Sequence, residues 1–204
     1  MLVTVHCSAA QPPAERRDGL RLFLLQMHVK LIAEERKQME MRKMELQEIV
    51  RQLQLSPLPR EGGLYRQTWC SAHGTAIYYL LDGDAFSHFH RLVYDEIYHF
   101  YLGDPVCLWE LSEDGKCDMT ILGRNLTGGE QVQHVVRAGV WQGSCRLASF
   151  PGTGAQEGCG YALLGTTMAP GYTQEDYEHG SRQELLSRWP EAASAIFRLT
   201  AEGS

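Results

Sequence analysis

Phe86 to Gly103, FSHFHRLVYDEIYHFYLG, brings together three histidines, two acids and a run of aromatic rings within eighteen residues. The alternation along it reads as two short strands. Phe86, His88 and His90 share one face of the first strand. On the second, Glu96, Tyr98 and Phe100 share a face while Ile97, His99 and Tyr101 share the other. Paired strands of this kind would let two imidazoles and a carboxylate converge. Convergence on rigid strands suits a divalent metal, and it equally suits a proton-transfer pair.

Such a cluster needs elements to hold it. Residues 1 to about 19 carry Pro12, Pro13 and mixed charges with no period of either kind, so a disordered start is expected. Leu20 to Leu55 lacks Gly and Pro and is rich in Leu, Met, Glu, Lys, Arg and Gln, which predicts a long helix. Ile32, Met39, Leu46 and Leu53 fall seven apart on one seam, but Glu35, Arg36, Arg42 and Lys43 interrupt the companion seam. A solvated helix whose last turns dock on the domain is the resulting expectation. Ser56 to Gly63, SPLPREGG, ends the helix and turns the chain.

Strand-like runs follow at 64–69, 75–81, the two strands above, 106–111, 118–122, 131–136, 139–144, 146–150 and 161–168. With no helices between them, these runs predict an all-β antiparallel barrel or sandwich. Ala169 to Gly180 reads as a polar surface loop, with Glu175 and Asp176 on it. Ser181 and Glu184 have the spacing of a capping box, Pro190 interrupts the helix so started, and a last helix reaches Leu199.

Length and charge narrow the function. The chain of 204 residues is long enough for one domain with a real core. Its 19 basic and 25 acidic residues give a net charge of −6 with no basic cluster, which argues against nucleic acid and anionic membranes as partners and favours small molecules or proteins. Six cysteines without a Cys-x-x-Cys pair point to reduced thiols and a cytoplasmic protein. The apolar run Leu20 to Leu25 contains Arg21 and is too short to span a bilayer.

An imidazole and a carboxylate on the inward face of a small barrel must be hydrogen-bonded or functional, which singles out His90 and Glu96. Tyr98 shares the face of Glu96. Tyr78, Phe100 and Trp141 read as core, because aromatics commonly fill barrels. Arg66, in the first strand, and Gln133, beside His134, are candidate polar contacts to a ligand.

With those residues in view, the chain resembles the cupin superfamily, the double-stranded β-helix or jelly-roll barrels, in a small and mostly uncharacterised branch of it. The likeness is carried by PREGGLYRQT (59–68), TAIYYLL (75–81), FHRLVYDEIYHFYLG (89–103), GGEQVQHVVRAGVWQ (128–142) and APGYTQEDYE (169–178). It implies a barrel domain over 44–204 with a C-terminal helical clasp, and a separate extension over 1–43. Met41 and Met44 stand where the likeness begins, and either would serve as a start.

Against the superfamily's first motif, His88-x-His90 and Glu96-x6-Gly103 match. One residue too many separates His90 from Glu96, and one too few separates Gly83 from His88. In the second motif Arg137-Ala138-Gly139 replaces Pro-x-Gly, and Gln142 stands where the third histidine belongs. The resemblance implies a metal set of His88, His90 and Glu96 with the Gln142 amide, holding Fe, Mn, Ni or Zn. By likeness to sugar epimerases it also implies a metal-free alternative, in which His90 accepts a proton and Tyr65 or Tyr98 returns one. Tyr65 enters because it follows the glycine turn. A carbohydrate or small acid is the expected ligand, with or without turnover, and a homodimer the expected assembly.

Overall fold

A computed structural model describes residues 14–155 and 158–201. The chain divides into two compact units, Met1–Glu45 and Leu46–Ser204. The first unit holds most of helix α1 (Ala14–Leu53), which starts earlier than the sequence predicts. Ala, Glu and Arg at 14–17 are helix formers strong enough to carry the helix through Gly19. The rest of the expected disordered start, residues 1–13, lies outside the described residues. From Leu24 to Glu45 the side chains are exposed, apolar ones such as Leu24, Met27, Leu31 and Met39 included.

In the second unit the last turns of α1 bury Leu46, Ile49, Val50 and Leu53 against Leu80, Tyr161 and Leu163. Gln54, in the left-handed region at φ 54°, stops the helix, and the Leu55 N–H closes it on the Val50 carbonyl at 3.0 Å. Two antiparallel sheets then form the barrel. β1 (Ser56–Pro57), β2 (Leu64–Ser71), β3 (Gly74–Asp82), β5 (Glu96–Gly103), β8 (Gln133–Val136) and β10 (Tyr161–Met168) make one sheet, in the order β1-β2-β3-β10-β5-β8. β4 (Phe86–Leu92), β6 (Val106–Leu111), β7 (Cys117–Leu122), β9 (Trp141–Arg146) and β11 (Tyr177–His179) make the other, in the order β11-β4-β9-β6-β7. This is the all-β, jelly-roll architecture the strand pattern and the resemblance led to.

Alternation sorts the side chains. Tyr79, Leu81, Tyr98, Phe100, Val106, Leu108 and Leu164 fill the space between the sheets. The other face of the second sheet, through Phe89, Cys107, Leu111 and Cys145, packs against Leu185, Trp189, Ile196 and Leu199 of the C-terminal segment. That segment comprises α2 (Arg182–Arg188), a single 3₁₀ turn from Pro190, and α3 (Ala193–Arg198). Burying whole Leu, Ile and Trp side chains there is worth about 2 kcal/mol each, which explains why the clasp is part of the domain.

Four expectations change. The strands that hold His90 and Glu96 lie in opposite sheets and face one another instead of forming a hairpin. Residues 147–149 form a 3₁₀ turn, not a strand, anchored by the Leu147 N–H on the Pro105 carbonyl at 2.7 Å. Part of the predicted polar loop, Tyr177–His179, adds to the edge of β4 as β11. Ser181 stands at the N-cap of α2 but its side chain makes no capping hydrogen bond.

Candidate functional site

Between the sheets, at one end of the barrel, lies a cavity of about 310 Å³, large enough for a small ligand. β2 and β3 contribute Tyr65, Gln67, Thr75 and Ile77, β5 and β10 contribute Glu96, Thr166 and Met168, and β4 contributes His90 and Leu92. Two connecting segments complete the lining, the loop after β1 with Arg60 and Glu61, and the stretch leading into β11 with Tyr172, Gln174 and Tyr177.

Hydrogen bonds and one glycine set the course of the loop. Its backbone closes on itself, the Leu58 N–H donating to Gly63 O and the Gly62 N–H to Leu58 O, and the Glu61 carbonyl accepts from the His88 N–H at 2.7 Å. Gly62 adopts φ 99°, and a Cβ there would meet the Phe86 carbonyl oxygen. Only glycine satisfies both conditions. The Glu-Gly-Gly run of this loop therefore fixes Glu61 at the cavity wall.

Two carboxyls and an imidazole line the cavity. Burial pushes the Glu61 carboxyl up to about 7 against the opposing hydrogen bond from Ser87 Oγ, at 2.8 Å. Burial also raises Glu96, the charge of Glu61 raises it further, and His90 with hydrogen bonds from Thr166 and Gln142 works the other way. The Gln142 amide donates from Nε2 to Glu96 Oε2 at 2.8 Å and leaves its own buried Oε1 without a protein partner. Burial lowers His90, partly countered by Glu96. Its Nδ1 lies 2.7 Å from the His88 carbonyl, so Nδ1 donates and Nε2 of the neutral ring keeps its lone pair. Tyr177 stacks on the ring, centroids 5.1 Å apart.

His88 follows a different course. The β4–β9 register slips between Ser87 and His90, so a bulge takes one residue out of the alternation. His90 lines the cavity, but His88 does not. The His88 ring stacks on His179 with centroids 3.8 Å apart and donates from Nδ1 to the Phe89 carbonyl, leaving Nε2 buried and unpartnered.

Among the other residues singled out from sequence, Tyr65 lines the cavity and Gln142 reaches it through Glu96. Tyr98 is inward but lies in the core outside the lining, where burial, then the charges of Glu96 and Glu61, hold its phenol well above the ordinary range. Arg66 and Gln133 stand on the outer face of the first sheet. Arg66 donates to Gln54 Oε1 at 3.1 Å, and Gln133 meets His99 Nδ1 at 3.2 Å. Sequence reasoning missed Glu61, Arg60, Tyr172 and Tyr177, which sit in segments that read as turn and loop.

The metal set implied by resemblance does not fit these side chains. With His88 outside the lining, one imidazole and one carboxylate remain, the carboxylate already engaged by an amide. Among the described residues no group of three or more His, Cys, Asp or Glu could hold a metal ion.

A family profile described as Cupin superfamily (DUF985) matches residues 47–180. No curated protein matches the chain. Among solved structures, a protein from Shewanella oneidensis is 29% identical with a TM-score of 0.66, over 76% of this chain and 96% of that one. A hypothetical protein from Leishmania major is 28% identical with a TM-score of 0.68, over 75% of this chain and 97% of that one. Both likenesses span nearly the whole of the related chains.

Proposed function

Because the chain belongs to the cupin superfamily, in its DUF985 branch, we propose that its barrel binds a small carbohydrate or acid and carries out metal-independent acid–base chemistry on it, of the epimerase or isomerase kind. The observation that carries this reading is one cavity lined by Glu61, Glu96 and His90, in which burial raises both carboxyls and keeps the imidazole neutral. A carboxyl raised to about 7 can give a proton near neutral pH, and an imidazole held neutral can take one.

The roles follow from the geometry. Neutral His90 takes a proton from a carbon next to a carbonyl at Nε2, the electron pair passing into the carbonyl. The imidazolium formed is stabilised by Glu96, which Gln142 and Thr166 hold in place. Glu61, protonated in part near pH 7, supplies a proton from another wall of the cavity. Tyr65 is a second candidate donor. The phenol of Tyr98, held far above neutrality, is a poor one.

The test is deuterium wash-in. Chelator-treated protein is incubated in D₂O with a panel of sugars and hydroxy acids, and loss of carbon-bound proton signals is followed by NMR. Exchange at one carbon of one ligand, abolished in His90→Ala and Glu61→Gln, is expected. Exchange that stops on chelation would favour the metal-dependent cupin reading. Binding without exchange would leave a ligand-binding barrel.

A further inference from the structure

Among the described residues, Arg60 is the one Lys or Arg in the cavity lining. Its guanidinium carbon lies 4.5 Å from the centroid of the Tyr177 ring. Its backbone is held at φ 70°, a conformation that a residue with a Cβ rarely adopts. The self-bonded loop that fixes Glu61 also fixes this conformation. Among the described residues no ion pair engages Arg60, whereas Arg91 is held by Glu178 and Arg137 by Asp95. A guanidinium over an aromatic face leaves its in-plane N–H fork free to take two oxygens of an anion. Exposed Arg60 therefore stands at the rim with its hydrogen-bonding edge unspent.

From this we infer that the ligand carries an anionic group, carboxylate or phosphate, on a hydroxylated body, and that Arg60 takes the anion at the rim while the body enters the cavity. This inference rests on the small-molecule reading above and narrows its substrate class. The remaining lining suits such a body. Gln67, Thr75, Thr166 and Gln174 offer amides and hydroxyls, Tyr65 and Tyr172 offer rings, and Glu61 and Glu96 accept from hydroxyls. The same two carboxylates disfavour an anion deep inside, which leaves the rim for it.

Calorimetric titration of the full chain at pH 7 with gluconate, glucose 6-phosphate, glucose and inorganic phosphate tests the inference. Gluconate or glucose 6-phosphate should bind about tenfold or more tightly than glucose, and which of the two does so identifies the anion. Arg60→Gln should erase that preference with the melting temperature unchanged, and Glu61→Gln should keep it. Equal binding of glucose and both anions, a preference that survives Arg60→Gln, binding of phosphate alone as tight as that of the sugar phosphate, or no binding of either anion would each overturn the inference. Deuterium exchange on a neutral ligand would still stand in those cases, so the two readings fail separately.

Discussion

Glu96 and His90 are held inside the barrel, 7% and 1% exposed, in an environment that disfavours the charged form of each. If each served only to satisfy the other, removing one would strand its partner at a cost of about 1 to 3 kcal/mol. A site built at the expense of stability behaves oppositely. Glu96→Gln and His90→Ala are expected to leave the melting temperature unchanged or raised while ligand binding is lost, as thermal denaturation with and without ligand will show. His90, Glu96 and Gln142 were legible in the sequence because strand alternation and motif order place them inward. Glu61 was not, since its Pro-Arg-Glu-Gly-Gly context reads only as a turn. What makes it a site residue is the tertiary anchoring of that turn on β4.

At the scale of elements, one buried ion pair ties the ends of the strands together. Arg146, at the end of β9, donates to Asp104 Oδ2 at 2.8 Å and to the Gly83 carbonyl from Nε and Nη2. Asp104, in the β5–β6 turn, also accepts from the backbone of Cys159 and Gly160 ahead of β10. Burial works to raise its carboxyl, but these donors outweigh it and hold the group below its ordinary value. Its contribution to stability is accordingly present above the unfolded pKa and lost as pH falls through the lower folded one. Asp104→Asn removes the buried carboxylate that pairs with Arg146, and should cost about 2 to 4 kcal/mol in urea denaturation at pH 7. Strands were readable from alternation bounded by Gly, Asp and Pro. The bulge at His88 and the edge strand β11 were not, because both depend on which neighbour the chain meets.

For the whole molecule, Leu46, Ile49, Val50 and Leu53 of α1 pack on the barrel, and residues 24–45 are exposed. The outer face of the first sheet carries Tyr78, Tyr101 and Trp69, the last two each 49% exposed. No helix among the described residues is long and apolar enough to cross a membrane. We propose that residues 1–43 are dispensable for the barrel, and that two copies pair through this aromatic face about a two-fold axis, covering its edge. A chain starting at Met44 should fold with an unchanged melting temperature and give a dimer's mass by light scattering at micromolar concentration. Failure to fold would contradict the first point, and a monomer the second.

The central claim, a carboxylic acid poised near neutrality in the cavity, has a direct measure in the ¹³C NMR titration of the glutamate side-chain carboxyls. The account expects one carboxyl with a midpoint near 7, absent from Glu61→Gln, well above its ordinary value of 4.5. Because the folded value is the higher one, wild type should also lose stability relative to Glu61→Gln as pH rises from 4.5 to about 7. A spectrum in which every glutamate carboxyl titrates near 4.5 and Glu61→Gln removes an ordinary one would contradict it.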